Sequence, residues 1–292
     1  MLNVYQALRS FPPFSRQLIC KGMLFTNYDC PQEERWAQAY IEHSCILYVI
    51  SGRRIYHHQQ ASWELKEGTC AFIKPAGFTA EKPKGEGWCV MVFFVPNDFL
   101  LQLIKDNRNA ITFVNLPPVP EEPLILLDIN EINHSCFASM IPYFSQNPPP
   151  PENLVELKFK ELVLSLMVNR KNTVLRSYLN NLESNSPISI QKIMQHNFTY
   201  NLRLADYAKL CCQSVSTFKR EFKRQFNETP SGWIMKQRLK MAKQLLSNTS
   251  LPINKVSAEC GFENSSHFSR VFKEKTGTSP LQFKQSHQQL FS

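Results

Sequence analysis

The stretch "STFKREFKRQFNETP", Ser216–Pro230, carries Phe218, Phe222 and Phe226 with Lys219, Arg220, Lys223 and Arg224 between them. Residues four apart share one face of a helix, so the segment reads as an apolar stripe flanked by cations. Taken alone, that pattern suits an anionic membrane, an acidic partner, a DNA groove or a solvated core helix. Fifty residues later the chain repeats itself as "SHFSRVFKEKTGTSP", Ser266–Pro280. Phe218 aligns with Phe268, Arg220 with Arg270, Phe222-Lys223 with Phe272-Lys273, Pro230 with Pro280 and Trp233 with Phe283. A period of this length marks a duplicated structural unit.

The ends of the two copies agree as well. Asn227 and Gly277 share one slot, and these residue types best tolerate the left-handed backbone that closes a helix. Thr229-Pro230 and Ser279-Pro280 then supply an N-cap and a first-turn proline for the next helix. Upstream of each basic helix lies a short helical stretch and a tight turn, "LADYAKLCCQS" (204–214) and "INKVSAECGFENS" (253–265). Short helix, turn, basic helix is the helix-turn-helix order, in which the second helix enters the major groove. Between the copies, "SGWIMKQRLKMAKQLLSN" reads as a helix with Leu239, Ala242, Leu245 and Leu246 as apolar positions. About 16 residues at ~1.5 Å rise span ~24 Å. With turns at each end, the two units are expected ~34 Å apart, one turn of B-DNA. A helix lying on a membrane has no use for such spacing, so double-stranded DNA is the expected partner.

Charge points the same way. The 292 residues carry a net charge of +9, yet residues 188–292 hold 16 Lys and Arg against 6 Asp and Glu. The rest of the chain is nearly neutral, so the expected arrangement is a polyanion-binding module attached to a neutral one. Nine cysteines, with no C-x-x-C spacing and no metal-ligand interval to histidine, read as free thiols of a reducing cytoplasm. The opening residues lack the pattern of a signal peptide. The longest apolar run, "WCVMVFFVP" from Trp88, is under half of the ~20 residues a membrane helix needs. No nucleophile-base motif and no phosphate-cradling glycine loop is visible, so no enzyme activity is expected.

Three regions follow along the chain. Short β-rich runs, "CILYVISG" (45–52), "TCAFIKP" (69–75) and "WCVMVFFV" (88–95), fill the first 120 residues or so, as in a barrel or sandwich. After the proline spacer "NPPPPEN" (147–153) comes a helix with Phe159, Leu162, Val163, Leu166 and Met167 on one face. That stripe either packs on its own barrel or forms a dimer interface. The expected domains are 1–179, a β-rich domain with a helical tail; 180–187, the linker "NNLESNSP"; and 188–292, all helical.

"CGFENSSHFSRVFKEKTGTSPLQFK", with Gly261-Phe262, His267-Phe268, Arg270, Phe272-Lys273, Gly277 and Pro280, resembles the second motif of the AraC/XylS family of bacterial transcription regulators. The resemblance covers roughly residues 188–284. It implies base-facing positions at Ser216, Lys219 and Arg220 in the first copy and at Ser265, Ser266, His267, Ser269 and Arg270 in the second. Arg and Lys read guanine edges best, and serine serves several bases. Lys223, Arg224 and Lys273 are placed for phosphate, which supplies affinity without sequence information. Where the first turn usually has glycine this chain has Cys212, which strains a left-handed turn by about 1 kcal/mol.

The front of the chain, "LYVISGRRIYHHQQASWELKEGTCAFIKPAG", resembles the cupin-like barrel common in this family. His57 and His58 are neighbours on a strand and point to opposite faces, and Ala80 stands where a metal cupin has a later histidine, so no metal is expected. The resemblance implies a cytoplasmic activator, controlled by a small-molecule effector or a regulatory protein on this domain. It also implies contact with RNA polymerase and a homodimer. No cofactor is expected, and no cysteine has the context of the alkyl-transfer enzymes that share this DNA-binding module.

Overall fold

In this computed structural model, which describes residues 1–10, 15–30, 34–59, 61–183 and 189–288, the longest strand organises the first half. It belongs to the series β1 (Leu2–Asn3), α1 (Val4–Ser10), β2 (Ser15–Cys20), β3 (Met23–Asp29), β4 (Trp36–Ile41), β5 (Cys45–His58), β6 (Ala61–Lys66), β7 (Cys70–Ile73), β8 (Ala76–Glu81) and β9 (Trp88–Phe94). There follow α2 (Asn97–Asp106), β10 (Leu124–Leu127), α3 (Glu131–Met140), a 3-10 turn at Ile141–Ser145, α4 (Glu152–Val168) and α5 (Thr173–Glu183). The chain divides into two compact units, Leu2–Pro187 and Ile188–Ser292.

Strand β5 runs the length of a curled half-barrel. Its first part pairs with β7 and β9, and its second part with β6 and β8. The change comes at an irregularity between Val49 and Ser51. Gly52 follows at φ +87°, and a Cβ there would lie 2.1 Å from the Gly87 carbonyl oxygen, so two backbones meet where only glycine fits. The remaining order is β1-β4-β8-β5-β9-β3-β2, with β10 beside β7.

Alternation along the strands feeds two cores. Leu47, Val49, Val90, Val92 and Phe94 point into the half-barrel. Ile46, Met91, Phe93 and Val95 point the other way, towards the helices. Both faces of β9 are therefore buried, which is why its sequence is a continuous apolar run. Phe159 of α4 is fully buried there, with ring centroids 4.6 Å from Phe25 and 5.7 Å from Phe93. Leu162, Val163, Leu166 and Met167 are buried with it. The two readings of this stripe are thus resolved in favour of its own barrel. Leu154 and Leu157 lie on the exposed side of the same helix.

Helices α2 and α3 stand between the β-rich runs and the proline spacer, where the sequence analysis places no helix. At the other end, α5 continues through Asn180–Glu183, the first half of the expected linker; residues 184–187 of that linker lie outside the described residues. His57 bonds Ser62 Oγ at 2.8 Å and Glu81 Oε2 at 3.2 Å, while His58 bonds the Gly77 carbonyl at 2.7 Å. The neighbours face apart, as strand geometry requires. Among the described residues no helix is long and apolar enough to cross a membrane.

Candidate nucleic-acid interface

The second unit contains α6 (Ile190–Asn197), α7 (Leu204–Leu210), α8 (Val215–Phe226), α9 (Pro230–Asn248), α10 (Ile253–Glu259), α11 (Ser265–Thr276) and α12 (Pro280–Gln288). Helices α8 and α11 are both 12 residues long and start 50 apart. Each is capped by a side chain that the sequence supplies at one place: Ser214 Oγ accepts from Thr217 N at 3.2 Å, and Asn264 Oδ1 accepts from His267 N at 2.7 Å. A cap of this kind contributes about 1 kcal/mol. Both end on a left-handed residue, Asn227 at φ 54° and Gly277 at φ 83°. Thr229 then caps α9, and Ser279 bonds Gln282 at the start of α12.

The phenylalanine stripes face inward. Phe218 and Phe222 join Met194, Tyr207 and Trp233 in one core. Phe268 and Phe272 join Leu239, Ala242 and Leu246 in another. All four rings are fully buried, and each contributes about 1.5–3 kcal/mol by leaving water. Anchoring each helix by that face turns its cations outward.

On α8, Ser216, Lys219, Arg220, Lys223 and Arg224 are exposed. Glu221 bonds Arg224 at 2.7 Å and lies 3.7 Å from Arg220. The Arg224 bond, then the charge of both arginines, holds the Glu221 carboxyl below the usual range. Arg224 is therefore the more committed arginine and Arg220 the freer one. On α11, Ser265, Ser266, His267, Arg270 and Lys273 are exposed and Ser269 is half-buried. His267 meets Phe262 edge-on at 6.0 Å, so its ring packs locally while remaining open to solvent. Lys219, Lys223, Arg270 and Lys273 make no ion pair among the described residues. Two exposed basic faces, each on a helix that follows a tight turn, suit a polyanion with grooves.

The turns match less closely than the helices. Helices α7 and α10 start 49 residues apart, not 50, because the second turn is one residue longer. Cys212 (φ 53°) takes the backbone position of Gly261 (φ 82°). Gln213 N donates to Ala208 O at 2.9 Å and Phe262 N to Ser257 O at 3.0 Å, the same helix-ending bond in both. The strained cysteine expected at the first turn is present.

Sequence reasoning missed Arg238, on α9. Its Nε donates to Phe198 O at 2.7 Å, Nη2 to Tyr200 O at 3.0 Å and Asn201 Oδ1 at 3.2 Å, and Nη1 to Gly261 O at 2.6 Å. Burial lowers its pKa, and these oxygens stand in for the lost water. The available signal was a cation four residues before Ala242, on the buried side of the helix.

Known proteins match both units. Residues 44–178 fit the profile described as the ExsA N-terminal regulatory domain, and residues 207–286 fit a helix-turn-helix domain. The virulence regulon transcriptional activator VirF of Yersinia enterocolitica is 22% identical over 244 residues, 83% of this chain and 90% of its own length. The HTH-type transcriptional regulator ExsA of Pseudomonas aeruginosa is 26% identical, over 82% of this chain and 85% of its own. The arabinose operon regulatory protein of Escherichia coli is 33% identical over 129 residues, 44% of each chain. The chain belongs to the AraC/XylS family of transcription regulators. The helix-turn-helix match falls on α7–α12 and the regulatory-domain match on the half-barrel with its helices.

Proposed function

We propose that this AraC/XylS regulator is a cytoplasmic activator whose helices α8 and α11 read two successive major-groove segments of a promoter. The observation that carries the reading is the pair of capped, 12-residue helices held 50 residues apart with outward cations. Ser216, Lys219 and Arg220, and Ser265, Ser266, His267, Ser269 and Arg270, are the proposed base-facing residues. Lys223 and Lys273 are the proposed phosphate contacts. The activator sense is drawn from VirF, which is named as one. RNA polymerase is the further partner in this reading. Homodimer formation belongs to it too, with exposed Leu154 and Leu157 as the candidate surface.

Control is assigned to the first unit, through a small-molecule effector. The half-barrel holds a partly open cavity of about 90 Å³, lined by Tyr28, Arg54, Tyr56, Phe78 and Trp88 among mostly aliphatic side chains. Arg54 is buried, 5.5 Å above the Trp88 ring, and its Nη2 donates to Cys30 Sγ at 2.9 Å. An apolar space with one cation suits a small, largely apolar molecule with an acceptor group. A ligand preferring one of two states of the protein would shift promoter binding. Promoter binding measured with and without metabolite fractions tests this. A fraction that raises both Tm and promoter affinity, and loses both effects with Arg54→Leu, is expected. Retention of both effects in that variant places the molecule away from Arg54, and the absence of any active fraction favours a regulatory protein, the alternative reading.

A further inference from the structure

We propose that Arg238 is a positioning residue that fixes the separation of the two reading helices and so sets the spacing between the DNA segments the chain accepts. The inference rests on the two-helix reading above and goes beyond it.

Each reading helix has its own core, and α9 contributes to both: Trp233 to the first, and Leu239, Ala242 and Leu246 to the second. Two small cores on one helix leave the angle between them to whatever joins them at the side. Arg238 makes that side join. Phe198, Tyr200 and Asn201, on one edge of its guanidinium, belong to the chain between α6 and α7 and thus to the first helix-turn-helix. Gly261, on the other edge, lies in the turn that leads into α11, and the guanidinium also stands 5.9 Å from the Phe262 ring.

A second observation locates the same seam. At Gly261 a Cβ would lie 2.2 Å from the Thr199 carbonyl oxygen. The two helix-turn-helix units therefore touch backbone to backbone at the point Arg238 bridges. A guanidinium suits this place because its planar fork presents donors in several fixed directions, and each bond to a charged donor is stronger than a neutral one. A lysine ammonium keeps the charge but cannot reach both segments with one rigid plane.

Spacing matters because two linked readers bind as one only when both boxes are reachable together. Adjacent major-groove segments on one face of B-DNA recur every ~10–10.5 base pairs. A fixed seam selects that interval; a loosened one accepts others.

The test uses the full chain and a duplex selected from random sequence for tight binding to it. Derivatives of the duplex carry five inserted base pairs between the two boxes, or a single box. Wild type is expected to lose about 10-fold or more in affinity on the insertion. Arg238→Gln is expected to retain single-box binding and helical circular dichroism while losing most of that discrimination. Arg238→Lys should resemble Arg238→Gln, and Gly261→Ala should loosen spacing from the other side of the seam. Wild-type discrimination in Arg238→Gln overturns the proposal. So does an equal loss of single-box and two-box binding in both arginine variants, which would make the residue a fold support only. A wild-type chain indifferent to the insertion is a different failure: it removes the two-helix reading and this inference with it.

Discussion

Cys212 and Gly261 hold the same left-handed backbone position in the two helix-turn-helix turns, at φ 53° and 82°. Their surroundings differ. Gly261 is pressed against the Thr199 carbonyl, so it is required twice, by conformation and by space. Cys212 is exposed, so only conformation is at issue. A left-handed non-glycine residue costs about 1–2 kcal/mol, and a glycine's extra freedom in the unfolded chain returns about 0.5–1. Cys212→Gly is therefore expected to stabilise the second unit by about 0.5–1 kcal/mol. Denaturant unfolding followed by Trp233 fluorescence measures it; a loss of stability would show that the thiol has a role that strain does not describe.

A thiol pair gives the pH dependence. Cys211 and Cys260 close α7 and α10, and burial pushes both thiols up to about 12. Their stabilisation is fully present below the unfolded value of about 8.5 and is lost as pH rises from there towards 12. Each pH unit in that window costs about 1.4 kcal/mol per thiol. Tm should be flat with respect to these groups below pH 8 and fall above it. The Cys211→Ala, Cys260→Ala double variant should flatten the fall between pH 8.5 and 10, below the range where Tyr207 adds its own ionisation. An unchanged slope would remove the thiols from the account.

The helix-turn-helix pair was legible because its signals are local. A stripe of phenylalanines, a capping Ser or Asn, a left-handed Asn or Gly and a first-turn proline each act within four residues. The one-residue difference between the turns was not legible, since "CCQS" and "CGFEN" align equally well at either offset. Arg238 was hidden because its partners lie 23 to 40 residues away in sequence and three of the four are main-chain oxygens, which every residue possesses. In the first unit, the strands containing Cys45, Cys70 and Trp88 were visible as apolar runs. Their pairing was not, because β5 crosses from one set of neighbours to another at a bulge that only Gly52 hints at. The α4 stripe was visible; that its partner is Phe25 and Phe93 depended on contacts more than sixty residues apart.

Gly52 itself supplies a further check on the half-barrel. Any Cβ at this position meets the Gly87 carbonyl at 2.1 Å, in backbone that side chains rarely adopt. Gly52→Ala is expected to destabilise the first unit by about 2 kcal/mol or more, combining left-handed strain with the displaced strand. It should leave the α-helical DNA-binding unit's affinity for a single box unchanged. Thermal unfolding of the variant measures the loss, and a Tm equal to wild type would contradict the backbone approach described at the bulge.

The most direct measurement is titration of a selected duplex with the full chain across a salt series, alongside Arg220→Ala, Arg270→Ala and Lys223→Ala. Salt-sensitive, sequence-specific binding is expected. Each arginine variant should lose about 1–3 kcal/mol and relax base preference in a different box, while Lys223→Ala should weaken all sequences alike and lower the salt slope by about 1. Binding that ignores sequence, or arginine variants indistinguishable from wild type on every duplex, would contradict the claim that α8 and α11 read DNA.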